Sequence, residues 1–266
     1  MIDLHTHSHY SDGQDSYEDL FTLAMQSGVS YFSITDHNYL YPGASSILST
    51  PNMKFVQGVE VSSIDRPSGM SLHVLGYSFK FDIPRLNRSL ESVVHGYNAR
   101  AAAIISMLNT KFGTRLDFEH IKATTPAVFV SRNLIARHFR EQTHEQMDMS
   151  DAVKEAFIQD EDSSWMPDAV QAIDMIRVCG GTAVLAHPGN LLGKTDLAGL
   201  VERLAGAGLR GIEVQYPRHD QQTVATLIAI ANRCRLAVTA GSDWHGIDFS
   251  RHPIGMEAAM PSDLLN

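Results

Sequence analysis

The sequence predicts an α/β protein, a mostly parallel set of short strands closed into a barrel and interrupted by a helical insertion. Three observations carry this. Short apolar runs alternate with helix-period segments over residues 1–83 and again over 166–266, the pattern of strand–helix–strand units. Residues 84–165 show no clear strand and read as helices, so they form an insertion, expected to act as a substrate cap, within one barrel domain. A His, Asp or Glu follows or ends most of the short apolar runs, as when strand ends meet at one mouth.

Residues 1–4 form the first strand. Ser16 caps a helix with Glu18 and Asp19 in its first turn, running to residue 27 and stopped by Gly28. Strands follow at 31–35, 55–61 and 72–77. In the insertion, residues 86–108 have helical spacing and are rich in alanine, Ser131 caps a helix to residue 139, and Ser150 caps another to 157. Alternation then resumes with a helix at 168–178 closed by Gly180-Gly181, a strand at 182–186, a helix at 196–205, a strand at 211–214, a helix at 220–232 and a strand at 236–240. This gives roughly seven strands, one fewer than the standard eight-stranded barrel. The alternative is an open doubly wound sheet, but no glycine-rich turn follows the first strand.

The chain has 266 residues, 44% of them hydrophobic and 19% charged, enough to bury one large core. No apolar stretch is long enough to span a membrane. The first strand begins at once, leaving no room for a signal peptide. Cys179 and Cys234 each sit in or beside an apolar helical segment, so two buried thiols are expected rather than a disulfide. A cytoplasmic location follows. The net charge of −9 disfavours a long nucleic acid, which needs basic side chains against its phosphates. Small anionic substrates remain compatible if the site is locally positive. No pattern points to a defined oligomer.

The chemistry starts at His5-Thr6-His7. Side chains alternate along a strand, so both rings point to one side and one metal can take both. Asp12, Asp36-His37, Glu60, His73, His187-Pro188 and Asp243-Trp244-His245 share the same setting beside short apolar runs. Imidazole and carboxylate are the ligands that borderline divalent metals prefer. Glu60 lies between Val59 and Val61, and His73 in Leu72-His73-Val74-Leu75; a carboxylate within such a run is costly unless paired or metal-bound. Taken singly, Asp36-His37 reads as a helix cap, His73 as a satisfied core histidine and Asp243-Trp244-His245 as a polar turn. Together they predict a metal site.

These motifs, with Ser11-Asp12-Gly13, Thr35-Asp36-His37, Gly58-Val59-Glu60, His73-Val74-Leu75-Gly76, Ala186-His187-Pro188-Gly189 and Gly241-Ser242-Asp243-Trp244-His245, resemble those of the polymerase and histidinol phosphatase (PHP) superfamily. The branch most similar comprises metal-dependent phosphoesterases acting on nucleoside monophosphates, 3′,5′-nucleotide bisphosphates or short RNA. The resemblance implies a distorted seven-stranded (β/α) barrel with a helical insertion. It implies two or three divalent ions (Mn²⁺, Fe²⁺ or Zn²⁺). His5, His7, Glu60 and Asp243 would hold the first, Glu60, His73 and His187 the second, and Asp12, His37 and His245 the third. Two metals sharing Glu60 would hold a hydroxide between them, since coordination lowers the pKa of water from about 15.7 to near 7. That hydroxide would attack the phosphorus of a small phosphate monoester, a nucleotide. His187 or His245 would protonate the leaving group if not committed as ligands.

In Ser131-Arg132-Asn133-Leu134-Ile135-Ala136-Arg137, Arg132 and Arg137 match the two arginines of the insertion motif in such enzymes and are expected to bind substrate. His219, after Tyr216-Pro217-Arg218, is a further candidate at the mouth. His252 has no motif context. The chain departs from the resemblance at Leu134, where relatives carry His, at Asn190, where they often carry Arg, and at Asn38, where they often carry Asp. A basic segment becomes Asp160-Glu161-Asp162-Ser163-Ser164. Each change removes a contact to substrate, and a charge-assisted hydrogen bond is worth roughly 1.5–3 kcal/mol. Competing readings are a histidinol-phosphate phosphatase, a short-RNA exonuclease and a metal-binding regulatory module without catalysis.

Overall fold

A computed structural model describes residues 1–47, 49–143, 164–247, 250, 252–262, 264 and 265. The helix expected from Ser150 and nearly all of the acidic 160–164 segment lie outside them. The chain runs β1 (Ile2–Asp3), α1 (Tyr17–Gln26), β2 (Tyr31–Phe32), β3 (Lys54–Phe55), β4 (Gln57–Asp65), β5 (Met70–Ser78), α2 (Ile83–Phe112), α3 (Phe118–Ala123) and α4 (Arg132–Thr143). It continues through α5 (Ala169–Val178), β6 (Thr182–Leu185), α6 (Leu197–Gly206), β7 (Gly211–Gln215), α7 (Gln221–Cys234) and β8 (Ala237–Ala240). The fold is mixed α/β, as expected.

The strand pairing departs from the expected closed, seven-stranded barrel. The regular ladders form two sheets, β1-β2-β3 and β4-β5-β6-β7-β8. β4 pairs antiparallel with β5, and β5 with β6, because β4 and β5 form a hairpin with no helix between them to carry the chain back. The other ladders are parallel. Between the sheets run single bridges, His37 to Glu60 and Thr6 to Trp244, and Tyr77 donates a hydrogen bond to the Leu4 carbonyl at 2.7 Å. Ile2, Leu4, Val56, Leu75, Val184 and Ala240 pack as one buried cluster drawn from both sheets.

The helix signals act largely as read. Ser16 accepts from the Asp19 N–H and Gly28 takes φ 72° after α1. Asp168 and Gln171 form a capping box on α5, and Asp196 and Asp220 cap α6 and α7. α2 is longer than expected. Its first half buries Leu86, Leu90 and Val93 against the main core, and its second half buries Ile104, Ile105 and Leu108 against α3 and α4. The short α3 escaped sequence reading because one buried residue, Ile121, gives no period. Both cysteines are free, with Cys179 buried and Cys234 only half-buried. No helix among the described residues is long and apolar enough to cross a membrane.

Candidate metal centre

His5 and His7 leave β1 in an extended course and present both rings to one side, with centroids 5.2 Å apart. The backbone here is locked. Thr6 bridges Trp244, the His7 N–H donates to the Trp244 carbonyl at 2.8 Å, and the Thr35 N–H donates to the Thr6 carbonyl at 2.8 Å. The buried Asp3 carboxylate receives the Ser242 and Gly255 N–H groups at 3.0 and 2.8 Å. Burial lifts its pKa to about 6 against these hydrogen bonds. Asp36 is not in the His cluster. It accepts from the Ser8 N–H and the Ser8 and Ser11 hydroxyls, and so shapes the loop carrying Asp12.

Glu60 is the hub. Oε1 lies 2.8 Å from His73 Nδ1 and 3.2 Å from His187 Nε2. Oε2 lies 3.1 Å from both His5 Nε2 and His7 Nε2, and 3.2 Å from His37 Nδ1. Asp243 Oδ1 is 3.4 Å from His5 Nε2 and 3.2 Å from His7 Nε2. Asp12 Oδ1 is 3.2 Å from His245 Nε2 and 3.8 Å from His37 Nε2. His73 lies near the start of its strand, and because β5 runs antiparallel its early residues lie beside the late residues of β4. There His73 pairs with Ser62, two residues on from Glu60 and on the same face.

Among the described residues, donor atoms within ligating reach of one another fall into four overlapping groups: His7, Asp12, His37 and His245; His5, Glu60 and His187; His5, His7 and Asp243; and His37, Glu60 and His73. The nine expected ligands are thus all brought together. The grouping differs in detail from the expected sets: His7 joins the Asp12 group, and His73 and His187, though both on Glu60 Oε1, fall into separate groups.

These groups fit a metal. His5 Nε2, both His7 nitrogens, His37 Nδ1, Asp12 Oδ1 and Glu60 Oε2 are buried with no hydrogen-bond partner, a costly state for a polar atom. Their spacings match the edge of about 3.3 Å between ligands bound tetrahedrally at about 2.0–2.1 Å. Titration behaviour agrees. Burial lowers His7, but the Asp243 and Glu60 carboxylates beside Nε2 outweigh it and lift the ring to about 10. His5 rises well above its usual value, since Glu60, Glu213 and Asp243 outweigh its burial. Burial drives His37 down to about 3 despite Glu60 and Asp12. Burial opposes ionisation of Glu60, but His5, His73 and His37 hold it well below the carboxylate range. Without metal, protons on rings balance the buried carboxylates, and a divalent ion would displace them.

Three left-handed residues flank the centre: Asn38 at φ 55°, His187 at φ 30° and Asp243 at φ 55°. Such conformations cost non-glycine residues roughly 1–2 kcal/mol and cluster at functional sites. Asn38, the departure from Asp, is buried and exchanges hydrogen bonds with Ser62 at 2.9 and 3.1 Å; it secures β4 and does not line the cavity.

Two supporting residues escaped sequence reading. Glu213 accepts from His5 Nδ1 at 3.0 and 3.2 Å and from the His187 N–H at 2.8 Å. Its signal was the one that singled out Glu60, a carboxylate inside an apolar strand, Ile212-Glu213-Val214. The Tyr216 hydroxyl donates to Asp243 Oδ2 at 3.0 Å, leaving Oδ1 toward the histidines.

The centre floors a cavity of about 780 Å³ whose walls include Arg132, Asn133, Asn190, Tyr216, Arg218, Ser250 and His252. Arg132 is where it was expected, in the first turn of α4, and its neighbour Asn133 reaches Asp12 at 3.4 Å. Arg137 is exposed on α4 outside the cavity lining, because it lies five residues on, past the face that Arg132 presents. His219 does not line the cavity either; Nδ1 meets the Val214 carbonyl at 2.9 Å and Nε2 the Gly189 N–H at 3.2 Å. His252, without sequence context, does line it.

A PHP domain family model matches residues 3–182. The chain is 31% identical over 261 residues to the phosphoribosyl 1,2-cyclic phosphate 1,2-diphosphodiesterase of Eggerthella lenta, covering 94% of this chain and 96% of the relative. It is 26% identical to the 3′,5′-nucleoside bisphosphate phosphatase of Chromobacterium violaceum, covering 98% and 92%. Among solved structures it is similar to an amidohydrolase from Chromobacterium violaceum with bound sulfate, at a TM-score of 0.77 and 26% identity over 98% of this chain and 92% of that one. With a domain model covering most of its length and a relative 31% identical over 94% of it, the chain belongs to the PHP domain family.

Proposed function

We propose that the chain is a metal-dependent phosphoesterase that hydrolyses a small phosphate monoester, a nucleotide. The observation that carries this is Glu60, whose two oxygens face different histidine sets at 2.8–3.2 Å. That is the disposition of a carboxylate shared between two ions. Two or three ions of Mn²⁺, Fe²⁺ or Zn²⁺ would be held by His5, His7, Glu60 and Asp243, by Glu60, His73 and His187, and by Asp12, His37 and His245. Bound there, they supply Lewis acidity and activated water at neutral pH.

The chain's own groups do the rest. Glu213 accepts a hydrogen bond from the His5 Nδ1–H, so that the Nε2 lone pair faces the cluster. Tyr216 holds Asp243 with Oδ1 inward. Arg132 sets a cation on the cavity wall, in a helix first turn whose free N–H groups also favour anions. Of the two expected proton donors, His245 has both nitrogens engaged, with the Asp243 carbonyl at 2.8 Å and Asp12 at 3.2 Å. His187 Nε2 meets Glu60 at 3.2 Å, so His187 would donate only in a state where its ring holds no metal. Residues 84–165 act as a cap over the α/β body formed by 1–83 and 166–266. Sulfate in a relative's structure supports a tetrahedral anion as the ligand.

The test is a panel of phosphate esters offered to the Mn²⁺-loaded protein: mononucleotides, nucleoside bisphosphates, a phosphoribosyl cyclic phosphate, histidinol phosphate and a short oligoribonucleotide. Phosphate release from a mononucleotide is expected. A folded, metal-loaded protein that releases phosphate from none of them would refute the proposal in favour of a binding module.

A further inference from the structure

Arg218 stands on the cavity wall beside Tyr216 and Asn190 and belongs to no ion pair among the described residues. Its backbone is unusually fixed for a loop. The His219 N–H donates to the Tyr216 carbonyl at 2.9 Å, closing a turn in which Pro217 presets its own φ and Arg218 follows at the tip. Both ends of the turn are tied to the metal centre. On one side Tyr216 is bonded to Asp243 at 3.0 Å. On the other, the His219 ring is clamped between the Val214 carbonyl at 2.9 Å and the Gly189 N–H at 3.2 Å. Gly189 must be glycine for this contact, since a Cβ there would lie 2.4 Å from His219 Nε2. Gly189 and Asn190 continue directly from His187, so the turn bearing Arg218 is fastened to the segment bearing Asn190.

We infer that Arg218 is a specificity-determining residue that binds the substrate's phosphoryl oxygens from the cavity wall beside Asn190, supplying the cation that Asn190 does not. The inference rests on the phosphoesterase reading. A guanidinium offers paired N–H donors in a fixed plane that match phosphate oxygens, and a pinned turn presents it at little cost in loop ordering. Arg132 lines the same cavity from α4, so two cations from different elements face the metal ligands. His219, expected to touch substrate itself, instead braces the turn that presents Arg218.

The test compares wild type with Arg218→Gln, Arg218→Lys and, as a surface control, Arg140→Gln. All are loaded with Mn²⁺ and checked for metal content and melting temperature. Two readouts are taken: kcat and KM on the best ester of the panel, and calorimetric binding of inorganic phosphate. Arg218→Gln is expected to weaken phosphate binding and raise KM by about 10- to 100-fold, the loss of one charge-assisted contact, with metal content unchanged. Arg218→Lys should recover part of both, and Arg140→Gln should match wild type. Wild-type phosphate affinity and KM in Arg218→Gln would overturn the inference, as would a loss of metal or fold in that variant. If wild type itself neither binds phosphate nor turns over any ester, the phosphoesterase reading is what fails.

Discussion

Glu213→Gln replaces one carboxylate oxygen with an NH2 at almost no change in volume, and it tests whether the metal centre is organised from behind. Glu213 accepts three contacts: His5 Nδ1 at 3.0 Å on Oε1 and 3.2 Å on Oε2, and the His187 N–H at 2.8 Å on Oε2. All three come from donors if His5 binds metal through Nε2. A glutamine has one acceptor oxygen. If it faces His187, its NH2 meets the His5 Nδ1 proton; if it faces His5, its NH2 meets the His187 N–H. Either way an NH2 group is set against a buried donor. That costs about 1–3 kcal/mol, in line with the roughly 10- to 100-fold loss of metal affinity typical when such supporting partners are changed. Metal affinity is read by chelator competition on the intact protein, with the melting temperature recorded with and without Mn²⁺. We expect metal affinity to fall by that factor and the metal-dependent rise in melting temperature to shrink, while the metal-free protein stays folded. Unchanged affinity in Glu213→Gln would show that His5 needs no fixed tautomer, and the account of the centre would be wrong.

Three further outcomes follow from the same geometry. His7→Ala removes a ring shared by two donor groups and should abolish ester hydrolysis without unfolding the chain; a folded, metal-loaded variant with near wild-type turnover would refute the ligand assignment. In the metal-free protein, folding raises His7 from 6.5 to about 10, so its stabilisation is full below pH 6.5 and is lost as pH rises toward 10. The metal-free melting temperature should therefore fall over that window through this group, and metal affinity should rise as the proton becomes easier to displace; thermal scans at pH 6.5, 8 and 9.5 with and without Mn²⁺ check both. Gly241→Ala would place a Cβ 2.2 Å from the His5 Cβ and 2.7 Å from Glu213 Oε1. It should cost about 1–3 kcal/mol of stability and weaken metal binding together, which denaturant unfolding and chelator competition would register.

The site was more legible in the sequence than the sheet that carries it, and the reason is physical. Ligation needs donors of a definite kind, and a buried His or carboxylate announces itself against an apolar run, as Glu60 does between Val59 and Val61. Strand direction leaves no such mark. The residues of β4 and β5 satisfy either a parallel or an antiparallel ladder, and only the short connection from Asp65 to Met70 could have shown that no crossover helix fits there. Two-residue strands such as β1 and β2 give little periodicity from which to count sheets.

Substrate contacts were the least legible part, because a cation becomes a contact only through where the backbone holds it. Arg132 and Arg137 belong to one sequence motif, but helical rotation brings only Arg132 to the cavity. His219 drew notice as an imidazole, yet both its nitrogens are bonded to backbone groups. The residue it braces, Arg218, had nothing in its neighbourhood to distinguish it from a surface arginine. The metal centre is thus fixed by residue type and spacing, whereas recognition depends on how two loops are tied to it. That division predicts where change is tolerated: substitutions at Arg218 and Asn190 should alter which ester is accepted while metal content stays constant, whereas substitutions at Glu60 should remove metal and turnover together.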